Sequence, residues 1–242
     1  RAQKAEVAAI CQAVDRWLSQ PVAMAVRFDG FAWLAQGMGA ANFQNVRGER
    51  VKELIDLLVM ALPEELDHLP VEKATFRQEK LLRQAAFARI EDPRIHDGAP
   101  RGAIRVRLDQ WRRSRAFARG RGSVPCLPRG WPDPVEFEVA RAMGLASESP
   151  DSEAIDDLLT RWMRATVLGS RAWGAGYYAF SVAEGMQALA LNLACVGWLA
   201  RVHAAGRNCA VIDLAAVEEA LGRIDRAAGR ARWLGSSSEK LR

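Results

Sequence analysis

Residues 173–200 read WGAGYYAFSVAEGMQALALNLACVGWLA. A glycine-broken aromatic turn runs into an almost wholly apolar helix, expected over about residues 176–204, that carries Ser181, Glu184, Gln187 and Asn192. A helix that is hydrophobic all round belongs in an interior, so other helices have to surround this one. Elsewhere the chain shows helical periodicity and no convincing period-two alternation of the kind that marks a strand. The predicted fold is all-α, an irregular multi-helix bundle around a buried apolar central helix.

Length alone would let residues 180–200 cross a bilayer. An ionised Glu184 within the span would cost about 2.5–3.5 kcal/mol, Gln187 and Asn192 add to that, and the uninterrupted apolar run is short. The expectation is therefore a core helix, no membrane span and a cytoplasmic protein.

The 242 residues are 50% hydrophobic and 26% charged, enough for one substantial core. A single helical domain is expected over 1–235, with a division admitted at 120–134 and a frayed polar tail at 236–242. The charge balance, 34 Lys+Arg against 29 Asp+Glu, is a net +5 and too small to imply nucleic acid. Cys11, Cys126, Cys195 and Cys209 form no CxxC pair, so neither a zinc site nor a disulfide framework is readable and reduced thiols are expected. His68, His96 and His203 make no HxxxH or HExxH, so no histidine-based metal site is expected from this chain. The opening RAQKAEVAAICQAVDRWL is charged and helical, unlike a signal peptide. Arg at position 1 reads as a processed chain or a fragment whose beginning is missing.

Along the chain, residues 3–18 place Val7, Ile10, Cys11, Val14, Trp17 and Leu18 on one helical face. A second helix follows Pro21 and closes at Gly39; a third, Glu49 to Leu62, stops before Pro63. Helices are predicted over 72–90, 104–119, 135–145 and 151–168, the last capped by Ser149 or Asp151. After the central helix a final one begins near Asp213. Two Pro/Gly-containing segments, 91–102 and 120–134, read as loops.

Three features are candidates for function. In IRVRLDQWRRSRAFARGRG, residues 104–122, seven arginines face only Asp109. Arg105, Arg112, Arg115 and Arg119 share a helical side, with Trp111 available for stacking, so the segment is either a binding face for phosphate or an acidic partner, or a solvated face. The loop holding Cys126 and Trp131 is either a flap over a substrate or a tryptophan packed on the core. Finally, at about 100° per residue, Tyr177, Ser181, Glu184, Asn192 and Cys195 fall within a quarter-turn of the central helix. Burial of Glu184 without a partner would raise its proton affinity, as a general acid or base requires. A salt bridge to Arg161, Arg164 or Arg171 would instead keep it ionised and structural.

The order RGSVPCLPRGWPDPVEFEVARAM, then RAWGAGYYAFSVAEGMQALALNLACVGWLARVHAA, then DLAAVEEALGRIDRAAGRARWLG resembles the C-terminal helical part of bacterial cysteine-cluster proteins related to flagellin lysine-N-methylase. The resemblance covers roughly residues 20–235. It implies methyl transfer from S-adenosylmethionine to protein lysines such as those of flagellin, with an N-terminal cysteine cluster holding an iron-sulfur centre or zinc. This chain has no such cluster, so the implied metal centre would lie upstream of Arg1 or be lost. No cofactor site is assigned within the chain, and no catalytic residue carries over.

Two readings follow. The chain is the helical body of a protein-lysine N-methyltransferase-like protein, with Tyr177, Ser181 and Glu184 as candidate residues lining a pocket. Alternatively it is a non-catalytic helical scaffold that docks an acidic protein partner through Arg105, Arg112, Arg115 and Arg119. The first predicts a concave pocket at Glu184, the second a filled core.

Overall fold

The computed structural model describes residues 4–40, 43, 45–67, 74–90, 103–125, 134–144, 146–231 and 234. Among them are nine α-helices and no strand: α1 Lys4–Leu18, α2 Met24–Gly39, α3 Glu49–Asp67, α4 Phe76–Ile90, α5 Ala103–Arg119, α6 Phe137–Ala142, α7 Ser152–Leu168, α8 Val182–Gly206 and α9 Leu214–Ala227. The all-α bundle with a buried apolar helix is the observed fold. Among the described residues the β-type pairing that occurs is in isolated bridges, such as Gly174 with Phe180.

The chain forms two compact units. One comprises the described residues of 4–67 and 156–190, the other those of 74–155 and 191–234. The boundaries fall beside α4 and inside α7 and α8. Helices α7 and α8 each supply residues to both. The tail 236–242 and residues 126–133, with Cys126 and Trp131, lie outside the described residues, as does the loop 91–102.

In the first unit α1, α2 and α3 pack on one another. The buried face of α1 runs through Glu6, Ile10, Ala13, Val14 and Trp17, the spacing of one helical stripe. Its Trp17 ring lies where a Cβ on Gly30 of α2 would be, 2.4 Å from the nearest ring atom, so glycine there sets how closely the helices approach. Trp17 Nε1 donates to the Arg27 carbonyl at 2.8 Å. The Arg27 guanidinium, itself buried, donates to the carbonyls of Gln20 (3.0 Å) and Val22 (2.8 Å), to Thr160 Oγ1 (2.8 Å) and to Asp156. A buried cation needs such a full set of acceptors.

In the second unit α4 packs on α5 and α9. Phe117, fully buried, sits between Phe87 at 5.0 Å and Phe137 and Trp198, each at 5.6 Å between ring centroids. Arg83 of α4 donates from Nε to the Phe117 carbonyl at 2.9 Å, satisfying an end of α5 where Gly120 turns the chain at φ 61°.

Helix ends account for most departures from the predicted bounds. α3 runs through Pro63 to Asp67 rather than stopping at Leu62. The missing proline donor removes one backbone bond, and the turn survives it. α4 starts at Phe76 because Thr75 caps it: Gln78 N donates to Thr75 Oγ1 at 3.3 Å and Thr75 N to Gln78 Oε1 at 2.7 Å. Of the two residues predicted to cap α7, Ser149 Oγ accepts from Asp151 N at 3.2 Å, and Asp151 Oδ2 reaches Leu214 N at 3.2 Å, at the start of α9. The expected helix 135–145 is shorter, α6 followed by one 3-10 turn, Ala146–Glu148.

α8 is long and apolar enough to cross a membrane by length and composition, with a mean hydropathy of 1.4 over its most apolar window, yet 67% of that window is buried inside the protein. Such burial is that of a core helix. It begins at Val182, not near 176, and this moves two of the predicted site residues off it.

Candidate functional site

Residues 169–181 prepare the start of α8. Gly174 takes φ 78°, and Tyr178 and Ala179 adopt left-handed φ of 50° and 56°, a conformation non-glycine residues rarely take. Gly174 N donates to the Phe180 carbonyl at 2.9 Å and closes the loop. Tyr177, Tyr178 and Phe180 form a ring cluster with centroids 5.0–5.8 Å apart. Tyr177 is thus a buried packing residue of the turn, not a member of the α8 face on which helical spacing placed it.

Ser181 is the residue from which α8 starts, its carbonyl accepting from Gly185 N at 2.9 Å. Glu184 N donates to Ser181 Oγ at 3.3 Å, Ser181 N donates to Glu184 Oε2 at 2.9 Å, and the serine hydroxyl lies 3.0 Å from the same oxygen. This reciprocal pair is a capping box, S-x-x-E, which satisfies two otherwise orphaned backbone donors. The carboxylate also lies where the helix dipole favours negative charge. The reason for a glutamate in an apolar helix is therefore the helix end itself. Of the arginines considered as partners, Arg161 pairs with Asp157 at 2.9 Å and Arg164 with Asp15 at 2.7 Å.

Half-buried Glu184 also borders a cleft of about 400 Å³ in the first unit. Ser181, Val182 and Ala183 line it with Glu184; Glu6 and Ile10 of α1, Met38 of α2, Val51 of α3 and Phe43, Val46 and Arg47 complete the wall. The predicted pocket at Glu184 exists, and Tyr177 does not line it. Glu6 is 5% exposed, and its Oε1 accepts from Gly48 N at 2.6 Å, Gly48 having turned the chain into α3 at φ 67°. Glu6, Arg47 and Glu184 all make further interactions. Sequence reasoning missed Glu6 and Arg47. Glu6 had a signal: it sits one turn before Ile10, on the apolar stripe of α1. Arg47, between helices, had none.

The other residues of the predicted arc have separate duties. Asn192 is buried, and its Oδ1 accepts from Arg89 Nε at 2.6 Å. Cys195 is fully buried. Burial pushes the Cys11 thiol up to about 11, which leaves it protonated and unreactive near neutral pH. His203 is lowered to about 4 by burial and, secondarily, by Arg223 and Arg207. Among the described residues, no group of three or more His, Cys, Asp and Glu could hold a metal ion. Cys126, His68 and His96 lie outside the described set.

On α5, Arg105, Arg112, Arg115 and Arg119 are all exposed. Arg115 stacks over the Trp111 ring at 5.1 Å, and Arg112 lies 3.8 Å from Asp109.

Comparison with protein-family models, with curated proteins and with solved structures finds no match for this chain.

Proposed function

We propose that this chain is the helical body of a protein-lysine N-methyltransferase-like protein, and that the cleft beside Glu184 receives a lysine side chain. The observation that supports this reading is the cleft: at about 400 Å³ it falls in the range of ligand sites, and its lining matches the two halves of lysine. Ile10, Met38, Phe43, Val46, Val51 and Val182 suit a four-carbon stem, and Glu6 and Glu184 suit an ammonium, two carboxylates against the one cation of the lining, Arg47. The Glu184 carboxylate stands at the rim of the cleft, fixed there by its capping bonds to Ser181. No chemical step is assigned to these residues, and S-adenosylmethionine is given no site here.

The test uses Nα-acetyl-lysine methylamide and its norleucine counterpart, which keeps the stem and lacks the ammonium, in calorimetric titrations. The lysine compound is expected to bind about tenfold more tightly, a difference of about 1.4 kcal/mol. Glu184→Gln is expected to erase that preference. Glutamine also serves in a capping box, so the helix end survives the change. In the full-length protein, the same variant should lose methyl transfer from labelled S-adenosylmethionine to flagellin lysines while still folding. Unchanged preference and unchanged transfer would sink the proposal and leave the non-catalytic scaffold.

A further inference from the structure

α5 carries a second surface, in the other compact unit, independent of the cleft. Arg105, Leu108, Trp111, Arg112, Arg115 and Arg119 are exposed. At about 100° per residue they fall within roughly a third of a turn, opposite the fully buried Phe117. With a rise of about 1.5 Å per residue, the stripe from Arg105 to Arg119 is about 21 Å long. Among the described residues its one ion-paired arginine is Arg112, with Asp109, at 3.8 Å and with both side chains solvated. Leu108 is 44% and Trp111 54% exposed, and the Arg115 guanidinium lies over the Trp111 ring at 5.1 Å.

We infer that this face docks an acidic, amphipathic segment of another protein, one that presents carboxylates to the arginines and an apolar side chain to Leu108 and Trp111. Charge complementarity selects the sign of the partner. The kind of partner follows from residue types. Every cation of the stripe is arginine, whose planar fork matches carboxylates two bonds at a time. Tryptophan and arginine are also the residues that dominate protein interfaces, at sites where apolar area and charge meet. A nucleic-acid backbone would use the cations but leave Leu108 facing phosphates, and the whole chain's net charge of +5 is small for such a ligand. Stacking of Arg115 on Trp111 holds both side chains in a defined arrangement before the partner arrives, which lowers the ordering cost of binding.

The experiment measures fluorescence anisotropy of three labelled probes with the whole chain: a 17-residue helical peptide with four glutamates and two leucines on one face, the same peptide with the glutamates replaced by glutamine, and a single-stranded 20-mer DNA. The glutamate peptide is expected to bind about tenfold more tightly than the glutamine peptide. Reversing Arg105, Arg112, Arg115 and Arg119 to glutamate together abolishes that binding, and Trp111→Ala weakens it roughly tenfold. All five positions are exposed, so thermal midpoints within a few degrees of the parent verify folding. The inference is overturned by absence of a preference for the glutamate peptide, by tighter binding of the DNA, by equal binding of the charge-reversed variant, or by a dimer in sedimentation that the reversal dissolves. The last result would assign the face to a second copy of this chain.

Discussion

The Glu184 carboxylate accepts from the backbone N–H of Ser181 at 2.9 Å while the Ser181 hydroxyl accepts from the backbone N–H of Glu184 at 3.3 Å. One pair of side chains thus closes the start of the longest helix and places a carboxylate on the rim of the cleft.

That double duty separates stability from binding. Ser181→Ala removes one partner of an exposed cap and is expected to cost about 1 kcal/mol. Glu184→Gln preserves the cap's geometry and is expected to change stability by less than about 0.5 kcal/mol. Urea denaturation of the two variants reads both values; a Glu184→Gln loss as large as that of Ser181→Ala would show that the charge, through the helix dipole or an ion pair, carries the stability.

Two glycines of α8 should respond to alanine with opposite signs. A Cβ at Gly185 would lie 2.3 Å from the Ala172 carbonyl oxygen and 2.9 Å from Trp173 Cβ, whereas one at Gly197 meets nothing within 4 Å. Gly185→Ala should destabilise by about 1–3 kcal/mol through overpacking against backbone. Gly197→Ala, on an exposed turn, should stabilise by about 0.5–1 kcal/mol through helix propensity and a less entropic unfolded chain. Thermal midpoints that move in the same direction would contradict the close approach of α8 to residues 172–173.

Arg27 concentrates bonds to two carbonyls, Thr160 and Asp156. Arg27→Ala strands those acceptors, and a cost of about 2–3 kcal/mol is expected, less than for a fully buried pair because Asp156 keeps 28% of its side-chain exposure. Arg27→Lys restores the charge but not the fork, and should recover less than half in chemical denaturation.

Stability should fall with acidification through His203. Its folded value is about 4 against an ordinary 6.5, so between those limits the unfolded chain binds the proton and the folded one does not. The contribution is flat above about pH 6.5 and is progressively lost as the pH drops toward 4. His203→Leu should flatten this part of the stability profile, measured by urea midpoints from pH 7 to 4.5. An unchanged slope would assign the acid sensitivity to carboxylates.

The candidate site was partly legible before folding. The S-x-x-E spacing of Ser181 and Glu184 stood in the sequence, but helical periodicity drew the helix back to 176 and so read Tyr177, Ser181 and Glu184 as one face. The backbone at 174–180 breaks that phase, with the left-handed residues Tyr178 and Ala179, and no local preference of tyrosine or alanine announces it. Spacing within a single helix fixes which residues share a face, and Arg105, Arg112, Arg115 and Arg119 of α5 are exposed. Pro63 misled, since a proline signals a helix end but the turn beyond it can still be kept.

What the sequence by itself determined is the all-α character and the approximate extent of most helices, because helical bonds join residues four apart and the apolar period is written locally. Only the tertiary structure decided that Glu6, Met38, Arg47, Val51 and Glu184 surround one cleft, and that the compact units part within α7 and α8. Those outcomes depend on contacts between residues distant along the chain, chosen by shape: by Trp17 seated over Gly30, and by α8 lying against the backbone at Ala172. Periodicity assigns a residue to a face; packing decides what that face meets.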